Sequence, residues 1–169
     1  MNAPDYASPL VGWRVWKIVE GDDGPALCSV VYQALWTPGE PLEASCRSYG
    51  MYEEHETPCD PCPHDPGCGI YSCTEVGKIR QYLNGQGKPG DSQVAFGLLN
   101  SWGTVVECTM GYRAKFAYPR QIFLPCDSHR YAKGLDVYGV PVHCVGDTDR
   151  YQALMRVARE IEHGRGSSF

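Results

Sequence analysis

The period of the apolar positions changes several times along this chain, and each change predicts an element. Trp13 to Glu20 (Trp-Arg-Val-Trp-Lys-Ile-Val-Glu) and Leu27 to Leu35 are rich in β-branched and aromatic residues and flank the turn cluster Gly21-Asp22-Asp23-Gly24. That pattern predicts a β-hairpin with a four- or five-residue loop. Ser72-Cys73-Thr74-Glu75 has the spacing of a capping box, and Val76, Ile79, Tyr82 and Leu83 recur behind it at helical intervals. A short amphipathic helix capped by Ser72 and stopped by Asn84-Gly85 is therefore expected. Val94 to Leu99 and Thr104 to Cys108 read as strands, and Met110-Gly111 supplies a turn. Tyr112 to Tyr118 alternates, with Tyr112, Ala114, Phe116 and Tyr118 on one side and Arg113 and Lys115 on the other. Arg120 to Leu124 and Val137 to His143 are weaker strand candidates, the latter interrupted by Pro141 and so expected at a sheet edge. Tyr151, Leu154, Met155, Ala158 and Ile161 form a helical stripe that Asp147 or Thr148 can cap and His163-Gly164 can close, giving a helix over 147–163. The tail beyond it is expected to fray.

The sum is an α+β domain over residues 1–169: a mainly antiparallel, bent sheet, two helices and a loop lobe. The length of 169 residues, 43% apolar and 21% charged, suits a packed core and excludes wholesale disorder, a coiled coil or a collagen-like chain. A net charge of -5 argues against coating of nucleic acid or anionic membrane. Met1 to Ser8 has neither the basic nor the apolar region of a secretory signal, and no apolar run is long enough to span a membrane, so a reducing, cytoplasmic setting is expected.

Nine cysteines change the picture. An odd number cannot be fully paired within one chain. Seven ligand-type residues fall between positions 46 and 73: Cys46, His55, Cys59, Cys62, His64, Cys68 and Cys73. The surrounding stretch from Glu40 to Cys68 is acidic, loop-like and poor in apolar side chains, so burial cannot offset the entropy of ordering it. A structural Zn²⁺ held by thiolates and imidazole would supply roughly 10 kcal/mol and turn 40–73 into a metal-binding lobe. Buried free thiols, a disulfide-braced loop or a redox-active Cys59-Asp60-Pro61-Cys62 are the competing accounts. The redox account lacks the preceding strand and following helix such a motif needs.

The motifs resemble those of an uncharacterised family of actinobacteria and their phages. Its members carry a Cys, then His-x-x-Pro-x-x-x-Cys-x-Cys-Gly-(Ile/Phe)-Tyr, and later Trp-Gly-x-Val-Val-Glu…Gly-Tyr-Arg-Ala. The matching residues are Cys46, His55-Glu56-Thr57-Pro58, Cys62, and Cys68-Gly69-Ile70-Tyr71, followed by Trp102-Gly103-Thr104-Val105-Val106-Glu107 and Gly111-Tyr112-Arg113-Ala114. The family's Cys-x-Cys is opened here by the insertion running from Pro63 to Gly67. The resemblance implies Cys46, His55, Cys62 and Cys68 as the zinc ligands, with Cys59 as first substitute; His64 and Cys73 stay open as further ligands. It implies no activity.

No nucleophile elbow, phosphate loop, zincin helix or dinucleotide fingerprint is present. Pro58-Cys59-Asp60-Pro61-Cys62 matches half of a zinc-deaminase signature, but His55-Glu56-Thr57 fails the other half. Cys28 reads as a core residue, and His143-Cys144 as a chance adjacency. Trp13, Trp16, Trp36 and Trp102 are expected chiefly in the core. Arg113, Lys115 and Arg120, with Arg130 and Lys133, gather on the later strands and loop and could contact phosphates; a solvated outer sheet face is the preferred account, and contact with the acidic lobe of a second copy is a third. Three functions follow. The first is a non-enzymatic zinc-stabilised binding or regulatory protein of an actinobacterium or its phage, meeting a host or phage protein. The second is a nucleic-acid-binding zinc protein using the basic strand face. The third is a zinc hydrolase or deaminase.

Overall fold

The computed structural model describes residues 8–46, 55–62, 67–85, 92–147 and 149–164. Two long strands dominate it. β5 (Val94–Cys108) and β6 (Gly111–Leu124) form an antiparallel hairpin turning at Thr109-Met110. Each was expected as two shorter strands. The pairing instead runs through irregularities between Leu98 and Leu99 and between Trp102 and Val105. Such bulges take in extra residues, here Arg120 and the Gly103-Thr104 pair, and sharpen the twist without ending the strand.

β1 (Leu10–Gly21) pairs with β5 through residues 10–17 and with β2 (Gly24–Ser29) through 16–21, confirming the N-terminal hairpin. Its second strand stops at Ser29, short of the expected Leu35. Gln33 takes a φ of 50°, Ser29 N donates to Ala34 O, and Trp36 N donates to Leu27 O, so the chain doubles back and buries Trp36.

β4 (Ile70–Cys73) is the main correction. Ser72 does not cap a helix; it lies within this strand, which pairs with β6 along Ala114–Gly111 and touches β1 where Cys73 faces Trp13. A 3₁₀ turn, Val76–Tyr82, follows, with no side-chain cap at Glu75. The backbone partners offered by two neighbouring strands outweigh one local cap. The pairings β1–β5–β6–β4–β1 close a ring, which bends the sheet strongly. Gly111 makes that closure possible: it holds a φ of +151°, and a Cβ there would stand 2.2 Å from Ser72 O.

β3 (Leu42–Glu43) continues along the β6 edge beside Ala117 and Phe116. The expected 137–143 strand is mostly absent. Residues Asp136–Tyr138 are a 3₁₀ turn after the short α1 (Ala132–Leu135), and β7 (Val142–Cys144) pairs in parallel with β6. α2 (Arg150–Glu162) is the expected C-terminal helix, but its cap is Asp149, whose carboxylate accepts from Gln152 N. Asp147 instead meets Arg156 at 3.0 Å; Thr148 and the tail beyond Gly164 lie outside the described residues.

Side chains of β1, β5 and β6 go alternately to two apolar clusters. One holds Trp16, Leu27, Trp36, Leu99, Ile122, Leu135 and Tyr138; the other holds Val15, Ile79, Phe96, Phe123, Leu154 and Val157 under α2. Trp16 and Trp36 meet edge to face and Phe96 stacks on Phe123, each side chain contributing roughly 1.5–3 kcal/mol by burial. Trp16 and Trp36 are thus core, as expected, whereas Trp13 and Trp102 are only half-buried, and Cys28 is buried.

Candidate metal centre

The lobe is anchored on one edge of β6. β3 leaves that edge after Ala44, whose N donates to Lys115 O at 2.7 Å, and β4 joins it at Ile70, opposite Ala114. Cys46 lies two residues past the first anchor and Cys68 two before the second. Among the described residues between them, His55, Cys59 and Cys62 come together with Cys46 and Cys68.

Five side chains meet in two triads that share Cys68. Cys46, His55 and Cys68 form one, and Cys59, Cys62 and Cys68 the other, with donor atoms in each triad within 4.8 Å of one another. Cys68 Sγ is 3.5 Å from Cys59 Sγ and 3.5 Å from His55 Nε2. Around a tetrahedral zinc two sulfurs stand about 3.8 Å apart, and a sulfur and a nitrogen about 3.5 Å. A disulfide would need about 2.05 Å. The backbone adds donors to the sulfurs: Cys59 N donates to Cys68 Sγ and Cys68 N to Cys62 Sγ, both at 3.4 Å. Amide N–H groups directed at sulfur favour the thiolate form that a metal requires.

In the absence of a cation the same crowding opposes ionisation. Burial, then hydrogen bonds with Cys62 and Cys68, push the Cys59 thiol up to about 12. A divalent ion reverses that balance because it is the largest charge in the site. The donor set, sulfur and imidazole, suits Zn²⁺.

Arg113 holds this arrangement in place. It is buried, and its Nη1 donates to Cys68 O at 2.8 Å and to Cys59 O at 3.2 Å. Tyr71 Oη donates to Gly67 O at 2.7 Å, and Gly69 takes a φ of +122° between Arg113 and Pro58. The Gly111-Tyr112-Arg113-Ala114 segment is thus the strand against which Cys68-Gly69-Ile70-Tyr71 folds: Gly111 admits β4, and Arg113 ties down two ligand carbonyls. Sequence reasoning placed Arg113 on an exposed basic face; its burial corrects that. A single arginine between two strand neighbours gives no local sign of its burial, and the sign lay in the long-range register. Lys115 instead sits over the Phe116 ring at 5.3 Å, and Arg120 reaches Asn100 Oδ1 at 3.4 Å. Without Arg113 the strand part of the expected phosphate-contacting strip is reduced to these two.

The remaining sulfurs stand apart from the triads. Cys73 packs in the core near Val15 and Ile79, and burial pushes its thiol up. His143 Nε2 meets Gln121 at 2.9 Å and its ring stacks on Phe123. His64 lies outside the described residues. Among the described residues, no helix is long and apolar enough to cross a membrane. No protein-family model, no curated protein and no solved structure matches this chain.

Proposed function

We propose that this is a non-enzymatic binding or regulatory protein whose lobe is knitted by one structural Zn²⁺. One observation carries the reading: five soft donors, Cys46, His55, Cys59, Cys62 and Cys68, converge on Cys68, more than a four-coordinate ion needs. Four of these donors on one ion would close the coordination sphere and leave no position for a reacting water, the position a hydrolase or deaminase must keep open. Cys68 belongs to both triads and His55 groups with Cys46, which supports Cys46, His55, Cys62 and Cys68 as the four ligands, with Cys59 as the first substitute.

The action is through protein contacts. Val31, Tyr32 and Leu35 stand exposed on the turn after β2, the kind of apolar surface a partner covers. A cytoplasmic setting fits a site that needs reduced sulfur, and an actinobacterial or phage origin rests on the motif resemblance alone. The test is X-ray absorption at the zinc edge, with metal analysis of two variants. The expected result is a sulfur- and nitrogen-only shell, retained in Cys59→Ser and lost in Cys46→Ser. An oxygen donor from water at full occupancy would move the protein to the enzymatic class, and loss in Cys59→Ser alone would put Cys59 in the place of Cys46.

A further inference from the structure

Beside the metal lobe lies a cavity of about 360 Å³, within the size range of small-molecule sites. Its walls are mostly apolar, including Trp13, Val30, Val31, Ile70 and Ile79, and its rim includes the exposed Val31 and Tyr32. Among the described residues one cationic side chain lines it, Arg14. A guanidinium has five N–H donors in a planar fork suited to a carboxylate. In Arg14, Nη1 donates to Tyr71 O and Nη2 to Ser29 Oγ at 2.9 Å, while Nε is shielded from solvent with no partner. The guanidinium also lies 5.1 Å from the centre of the Trp36 ring. Among the described residues no carboxylate comes within salt-bridge distance of it. Burial lowers its pKa to about 10, which leaves it charged at neutral pH. A half-buried cation facing an apolar cavity without a counter-ion among the described residues is favoured when something anionic completes it.

We propose that this cavity binds a small monocarboxylate with an apolar body, its carboxylate on Arg14 and its tail among Val30, Ile70 and Ile79. A single charge is indicated because Arg14 is the sole cation lining the space among the described residues and the exposed Glu43 shares the rim; a phosphate dianion would find no second positive partner among them. The inference is independent of the zinc reading, although Cys46 and Cys68 also border the cavity.

Titration calorimetry of the full-length protein, as purified with its metal, against octanoate and octan-1-ol tests it. Octanoate is expected to bind once per chain, at least tenfold more tightly than the alcohol. Arg14→Met should bring octanoate down to the affinity of the alcohol. Val31→Trp, placed at an exposed rim position, should weaken both ligands about tenfold without touching Arg14. Thermal melts establish that each variant is folded; if Arg14→Met is not, the acid-to-alcohol ratio in the parent protein and the equal weakening of both ligands in Val31→Trp decide. Absence of octanoate binding, equal affinity for acid and alcohol, or unchanged octanoate binding in folded Arg14→Met would overturn the proposal, the last because the carboxylate would then be on the metal.

Discussion

Removing Arg113 tests whether β6 organises the metal lobe. Arg113→Met keeps the length and much of the apolar stem but deletes both hydrogen bonds to the ligand loops. The bond to Cys68 O is 2.8 Å and buried, so its loss strands a carbonyl without water; the bond to Cys59 O is 3.2 Å and only partly buried. Charge-assisted hydrogen bonds contribute about 1.5–3 kcal/mol each when buried and less when solvent competes. A combined loss of about 3 kcal/mol is expected, equivalent to roughly a hundredfold in zinc affinity, read by competition with a chromophoric chelator. Arg113→Lys should fall between, since an ammonium can keep one bond but not the fork. Gly67→Ala offers an independent route to the same contact, because a Cβ there would stand 2.6 Å from Arg113 Nη1. Its effect should be largely absent in an Arg113→Met background, a coupling that only a shared contact produces. Zinc affinity within threefold of the parent in Arg113→Met would refute the idea that this side chain organises the site.

Three further outcomes follow from the fold. Gly111→Ala forces a side chain against Ser72 O at an unfavourable φ and should lower stability by about 3 kcal/mol or more in denaturant melts, backbone strain alone being about 1–3 kcal/mol; a change under about 1 kcal/mol would argue against ring closure through β4. Asp149→Ala deletes the α2 cap and should cost about 1 kcal/mol, whereas Asp147→Ala should leave the helix N-terminus intact, as helical circular dichroism can check. Burial holds the His143 imidazole below its ordinary value, so the folded state prefers the neutral ring; the stability this gives is complete above about pH 6.5 and is lost as pH falls through that value towards the folded one. Melting temperature should therefore drop more steeply between pH 7 and 5 in the parent than in His143→Gln, and parallel curves would contradict the assignment.

Elements fixed by local pattern were legible in the sequence. The β1–β2 hairpin needs only its turn cluster and flanking apolar runs, and α2 its apolar stripe. The α+β class followed from these together with the alternation in β6. Where local and distant preferences compete, the sequence misleads. Ser72 has the chemistry of a helix cap, yet backbone pairing of Ile70–Cys73 with β6 takes it into a strand, and the glycine that permits this lies 39 positions away in the chain. Strand ends at Leu99 and Tyr118 were misplaced because bulges let pairing continue past Gly103 and Pro119. At the site, residue type and density were enough to locate the sulfur cluster. Spacing leaves the choice between Cys46 and Cys59 open, and each stands in a triad with Cys68; the burial of Arg113 could not be read from its neighbours because it depends on how distant strands pair with β6.

The central claim is that one zinc ion ties the first-half lobe to β6. Native mass spectrometry of the purified chain, alongside Cys68→Ser, measures it most directly, because Cys68 belongs to both triads. One zinc per chain is expected in the parent, with none in the variant, and about three protons should be released when metal-free protein takes up the ion. A parent chain that carries no metal and takes up none, or whose Cys59 and Cys68 are joined in a disulfide, would contradict the account.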